Sequence, residues 1–97
     1  MFYVYILKSI SYPKEIYTGS TNDLRLRFRL HNKGSVISTK RYRPWQLLYY
    51  EAYQTEKGAR IREQRLKHNG NAIRELKKRI GLLEADLPST TFKQTII

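Results

Sequence analysis

The segment Phe2–Leu7 (FYVYIL) is six apolar residues in a row, rich in β-branched and aromatic side chains. Such residues favour the pleated, packed surface of a strand. Lys8 interrupts the run, which is far shorter than the roughly 20 apolar residues a membrane span needs. No basic leader precedes it, so a signal peptide is not expected either. The segment reads as a buried strand, and the rest of the chain has to supply its partners and its cover.

Those partners follow in order. Ser9–Lys14 (SISYPK) is turn-like, with Pro13 inside, and Glu15–Ser20 (EIYTGS) reads as a second strand closing a hairpin. Gly19 near its end suggests a bulge or a close approach of backbone. Residues 21–32 carry conflicting signals. Leu24, Leu26, Phe28 and Leu30 alternate with arginines, as in a strand. Thr21-Asn22-Asp23 is a helix start, Asn32-Lys33-Gly34 a helix stop, and Leu and Arg are strong helix formers. The spacing of start and stop predicts a helix. Ser35–Arg43 is a polar basic loop, and Trp45–Tyr53 (WQLLYYEAY) a third strand. Thr55-Glu56 opens a helix to about His68, closed by Asn69-Gly70. Asn71 is placed to cap a last helix, in which Ile73, Leu76, Lys77 and Ile80 recur at helical spacing. The expected fold is α+β: a small three-stranded antiparallel or mixed sheet flanked by helices, in the order β-β-α-β-α-α. Residues 1–83 form one domain, and 84–97 a tail whose end could add a strand to a neighbour.

With 97 residues the chain has room for one modest core. It has no cysteine, which excludes disulfides and thiolate metal sites and is compatible with a cytoplasmic location. Nineteen Lys and Arg stand against eight Asp and Glu, a net charge of +11. A folded body this basic repels itself unless an anionic partner neutralises it. Nucleic acid is the expected partner, because phosphate contacts release condensed counterions. A membrane surface would call for one basic amphipathic helix, whereas here the basic residues are spread over every segment.

Candidate chemistry resides in a few side chains. Six of the eight tyrosines fall in the strands, as Tyr3, Tyr5, Tyr17, Tyr49, Tyr50 and Tyr53, where most suit a half-buried sheet. Tyr5 and Tyr17 lie on adjacent hairpin strands, so their phenols can converge, and a phenol near a cation can activate water. Arg27 and His31, four apart, share a helix face and offer a phosphate clamp beside a proton carrier; alternatively, His31 merely ends a solvated helix. Glu63 falls between Ala59 and Leu66 on the apolar side of its helix. An acid there either binds Mg²⁺ or Mn²⁺ or is paired with Arg27 or Lys67.

These pieces occur in a specific order: Tyr3-Val4-Tyr5, Ile16-Tyr17-Thr18-Gly19, Ser20-Thr21-Asn22-Asp23-Leu24, Arg27, His31, Pro44-Trp45, then Arg62-Glu63 and Lys67. Over about residues 1–80 the chain resembles a GIY-YIG endonuclease domain, in particular the compact single-domain members related to the UvrC N-terminal nuclease domain. The resemblance implies a three-stranded sheet with helices around it. It also implies hydrolysis of phosphodiester bonds in DNA with one divalent ion, Mg²⁺ or Mn²⁺, in a repair or recombination setting. Tyr5 and Tyr17 match the signature tyrosines, Arg27 the arginine that steadies phosphate charge, His31 the proton-handling or positioning residue, and Glu63 the metal ligand. Either signature tyrosine can be the base, with Tyr17 slightly favoured and the other positioning the water. Tyr3 stands where the family motif has glycine and Thr18 where it has isoleucine. Many members also carry an asparagine near the metal; Asn69 and Asn71 are read first as caps. Lys40, Arg41 and Arg43 in the basic loop would grip the backbone, with Lys57, Arg60, Arg65 and Lys67 extending that grip. With no targeting domain in view, a protein partner or DNA shape would choose the substrate. The alternative is a non-catalytic nucleic-acid-binding protein on the same scaffold.

Overall fold

The structure, a computed structural model, describes residues 1–81. The tail 84–97, with the strand considered for its end, lies outside the described residues. Strand β1 (Phe2–Ser9) and strand β2 (Ile16–Thr21) form the hairpin, followed by helix α1 (Leu24–Lys33). A short 3-10 turn (Lys40–Tyr42) leads to strand β3 (Trp45–Tyr53), then helices α2 (Glu56–His68) and α3 (Gly70–Arg79). The order is the expected one, and the sheet, β2-β1-β3, is antiparallel throughout rather than mixed.

Strand β1, apolar from Phe2 to Leu7, takes the centre because only there are both of its faces covered. Val4 and Ile6 point to one side and pack with Ala59, Leu66, Leu76 and Ile80 from α2 and α3. Tyr5 and Leu7 point to the other and pack with Leu24, Trp45 and Leu47. Helix α1 therefore covers one face and the α2–α3 pair the other. The edge strand β2 runs between the two layers.

Residues 21–32 show why helix start and stop outweigh alternation. Asp23 accepts a hydrogen bond from the backbone N–H of Leu26 at 3.1 Å. Gly34, at φ 88°, ends the helix in a left-handed turn that L side chains rarely adopt. The cost of the strand-like pattern is Leu26, which stays exposed. Thr55 caps α2 by accepting from Gly58. Between α2 and α3 the cap is Asn69, not Asn71: its side chain accepts from the N–H groups of Asn71 and Ala72. One asparagine in extended backbone thus ends one helix and starts the next.

Candidate active site

Register builds the site. Tyr5 pairs with Gly19, and Tyr17 with Leu7, so both phenols lie on the α1 face of the hairpin. Their ring centroids are 6.2 Å apart. Gly19 makes this approach possible. A Cβ at that position would sit 2.6 Å from the Tyr5 Oη and 2.8 Å from the Tyr17 ring. Of the two readings of Gly19, close approach is the one that holds. The only register irregularity of β1 is with β3, at Ile6/Leu7.

Helix α1 delivers Arg27 and His31 onto the phenols. His31 is not at a solvated helix end but fully buried. Its Nε2 lies 2.8 Å from the Tyr5 Oη and its Nδ1 2.8 Å from the Thr39 Oγ1. The Thr39 hydroxyl donates its one proton to the Val36 carbonyl. It therefore accepts from Nδ1–H, which leaves Nε2 as the acceptor of the Tyr5 hydroxyl. Burial, helped by the Arg27 charge, pulls His31 down to about 4, so the ring is neutral at pH 7. Burial is also the main cause that pushes the Tyr5 phenol up, and the neighbouring Tyr17 adds to it. For Arg27, burial works against the charge, but contact with the phenols of Tyr5 and Tyr17 raises it above its ordinary value. The guanidinium stays cationic beside both.

Glu63 comes from the other layer. Its Oε1 accepts from the Ser20 hydroxyl at 2.7 Å, and its Oε2 lies 2.7 Å from the Lys67 Nζ. Of the two ion pairs considered from sequence, the one with Lys67 is present. Lys67 also stands 6.0 Å from the centre of the Tyr17 ring, linking the carboxylate to the phenols. Burial works to raise the Glu63 carboxyl, but the Lys67 and Ser20 hydrogen bonds hold it below the usual range, so it is ionised at neutral pH.

Where β2 turns into α1, a cleft of about 310 Å³ opens between Arg27 and Ser20 on one side and Glu56, Ala59 and Arg60 of α2 on the other. Thr21 and Asn22 complete its rim. Five separated residues are thus gathered around the β2 edge. Only Arg27 among them lines the cleft, while Tyr5 and His31 lie fully buried beneath it.

Among the described residues no three His, Cys, Asp or Glu side chains converge. One ionised carboxylate suits a Mg²⁺-like ion, which keeps most of its waters and uses substrate phosphate as a ligand. Glu63 fits that description, with 13% of its side chain open to solvent and Lys67 as an exposed partner.

Of the basic residues expected to grip nucleic acid, Arg60 lines the cleft and is paired with Glu56 at 2.8 Å. Lys57 and Arg65 line a shallow groove on the outer face of α2 with Ile61 and Gln64. Lys40 and Arg41 are exposed on the 3-10 turn, outside the cleft lining. Arg43 is exposed too, but its Nη1 donates to the Lys33 carbonyl and so caps α1. Sequence reasoning quoted Ser20 only within the ordered motif, with no role of its own, and did not single out Thr39. Asn22 was read only as part of a helix start.

Comparison with known proteins fits this geometry. The GIY-YIG catalytic domain family matches residues 1–81. This chain belongs to the GIY-YIG family. The GIY-YIG domain is a nuclease-family domain. The chain is 41% identical over 58 residues to the UPF0213 proteins SpyM3_1077 and SPs0786 of Streptococcus pyogenes serotype M3 strains. That match covers 59% of this chain and spans 61% of the length of those relatives. The solution structure of UPF0213 protein BH0048 from Bacillus halodurans is similar, with a TM-score of 0.50 and 27% identity. The similarity covers 89% of this chain and 92% of that one. Among the described residues no helix is long and apolar enough to cross a membrane.

Proposed function

We propose that this protein is a divalent-metal-dependent endonuclease that hydrolyses phosphodiester bonds in DNA. The observation that supports it most is the convergence of Tyr5, Tyr17, Arg27 and His31 at Gly19, with Glu63 held one residue away by Ser20. The cleft beside them is the place for a phosphate, and the +11 net charge favours a polyanion there.

In this reading Arg27 faces the non-bridging oxygens of the scissile phosphate and stabilises the charge that builds as water attacks phosphorus. Tyr17, the less buried phenol, takes the proton of the attacking water. Tyr5 and His31 do not reach substrate. Their buried hydrogen bond fixes the phenol against which Arg27 packs. Glu63 is the residue that would hold Mg²⁺ or Mn²⁺, with Lys67 swinging into solvent. The ion would act as a Lewis acid on the phosphate. Arg60, with Lys57 and Arg65 beyond it, extends the contact along the backbone.

The test is nicking of supercoiled plasmid with Mg²⁺ or Mn²⁺, alongside DNA binding. The wild-type protein is expected to cut, and Glu63→Gln to bind DNA but cut at least about 100-fold more slowly. Undiminished cutting by Glu63→Gln would remove the metal role of Glu63. The Glu63–Lys67 pair favours a second reading, a binder without catalysis, in which that pair is permanent. Binding without cutting by the wild type at any metal concentration would decide for it.

A further inference from the structure

Four tyrosines of the sheet take no part in the proposed chemistry. Tyr49 and Tyr53 both donate to Glu51 on the α2 side of the sheet. Tyr3 and Tyr50 lie on the opposite face. Their rings meet edge to face, with centroids 6.0 Å apart and planes at 66°. Tyr50 pairs directly with Tyr5 across the sheet, one rung from the phenol cluster, yet it is 43% exposed where Tyr5 is fully covered. It extends from beneath the start of α1. Position 3, moreover, is where the family motif carries glycine. This chain has placed there a ring that braces Tyr50.

The two tyrosines wall a hollow of about 300 Å³ with Asn22, Asp23, Leu24 and Arg25. Its chemistry differs from that of the cleft. One arginine and one aspartate balance each other, and the aspartate already accepts from the Leu26 N–H. The hollow does not attract phosphate. It offers an aromatic surface, a cation able to lie over a π-face, and in Asn22 an amide that both donates and accepts. Asn22 is also part of the cleft rim, so the hollow and the cleft share a wall. A polyanion drawn to the cleft would have its next base beside the hollow.

We propose that the Tyr3–Tyr50 hollow is a subsite for an unpaired nucleobase next to the phosphate held in the cleft. A base inside a duplex has both faces stacked and cannot lie on Tyr50. An unpaired base at a single strand, flap or loop can, and stacking of this kind tolerates any base. The hollow then favours substrates with single-stranded character beside the cutting point. This rests on the nucleic-acid reading of the cleft, and the experiment separates the two.

Two oligonucleotides of equal length are compared for binding to the full chain at fixed salt, with Ca²⁺ in place of Mg²⁺. One is a mixed-sequence single strand; the other has the same sugar-phosphate backbone with abasic sites throughout. The wild-type protein is expected to bind the base-bearing strand on the order of tenfold more tightly. Tyr50→Ala should erase that advantage and leave abasic binding unchanged. Tyr50→Phe, which keeps the ring, should retain it. Equal affinity of the wild type for the two strands overturns the subsite while leaving the phosphate-binding cleft intact. So does an equal loss for both strands in Tyr50→Ala. Failure of the wild type to bind either strand at low salt overturns both readings.

Discussion

The Tyr5 phenol rests on the backbone of Gly19, at a spot where any side chain would collide with it. A Cβ there would lie 2.6 Å from Oη and 2.8 Å from Cζ. Glycine inside a strand normally costs stability, so Gly→Ala in an ordinary strand stabilises by about 0.5–1 kcal/mol. Here the sign reverses. Gly19→Ala is expected to destabilise by about 1–3 kcal/mol, the cost of overpacking a filled site. Urea unfolding measures it. A variant as stable as its parent would mean that the phenols do not lie over position 19.

Thr39 should fix the protonation pattern of His31. Thr39→Val keeps the shape and removes the hydroxyl, which strands a buried ring N–H. The expected cost is about 1–3 kcal/mol, with little change for Thr39→Ser. Nitrogen-15 NMR of the imidazole gives a direct view: the proton should sit on Nδ1 in the wild type and in Thr39→Ser. A wild-type ring protonated on Nε2 would reverse the direction of the Tyr5 hydrogen bond and remove His31 as its acceptor.

Buried and neutral, His31 also makes stability depend on pH. The groups facing it are Tyr5 from β1, Tyr17 from β2, Arg27 on its own helix and Thr39 from the loop. None is an acid that would stabilise the imidazolium. With the folded value at about 4 and the unfolded one near 6.5, the unfolded chain takes up the proton first as pH falls. The His31 contribution is complete above pH 6.5 and is lost on the way down to about 4, up to about 3 kcal/mol. The carboxyls of Glu51 and Glu63, both held low, titrate only at the acid end. Unfolding free energy should thus already decline between pH 6.5 and 5, and His31→Gln should flatten that part of the curve. A flat wild-type profile over that range would show that the ring is not buried neutral.

The residues that could be read from sequence differ physically from those that could not. FYVYIL and WQLLYYEAY carry strand signals within themselves, and Arg27 with His31, or Glu63 with Lys67, are one helical turn apart. Local periodicity suffices for such features. The side of α2 on which Glu63 falls was likewise legible from Ala59 and Leu66. Thr39 gave no signal, because a threonine in a polar basic loop looks the same whether it faces water or a histidine. Ser20 and Glu63 are 43 residues apart, and only the packing of α2 against the edge strand joins them. The alternating leucines and arginines of α1 pointed the wrong way, since tertiary cover and two good caps overrode the period. Asn69 was missed as the cap of α3 because it also closes α2, a double use that sequence spacing does not reveal.

Glu51 and Arg62 set the position of α2 and, through it, of Glu63. Arg62 donates from Nε and Nη2 to the Glu51 carboxylate at 3.0 Å each, and Tyr49 and Tyr53 add hydrogen bonds of 2.8 and 2.5 Å. Burial and the Glu51 hydrogen bond push both phenols up to about 12, so they remain donors at all working pH values. Arg62 immediately precedes Glu63, so this bond fixes the rotation of α2 against β3 and with it the direction of the neighbouring carboxylate. Glu51→Gln leaves Arg62 without its charge partner in a setting where its side chain is only 26% exposed. The expected cost is about 2 kcal/mol, below the value for a fully buried pair because water still reaches the guanidinium. Glu56→Gln breaks the Arg60 pair, whose side chains are 70% and 59% exposed, and should cost no more than about 0.5 kcal/mol. Thermal unfolding separates the two. Because α2 would lose its anchor, Glu51→Gln should also weaken Mn²⁺ binding, measured by calorimetry on the free protein, although Glu51 is not itself the proposed ligand. If Glu51→Gln lowers stability but leaves Mn²⁺ affinity unchanged, the Glu51–Arg62 bond holds the fold together without aiming Glu63.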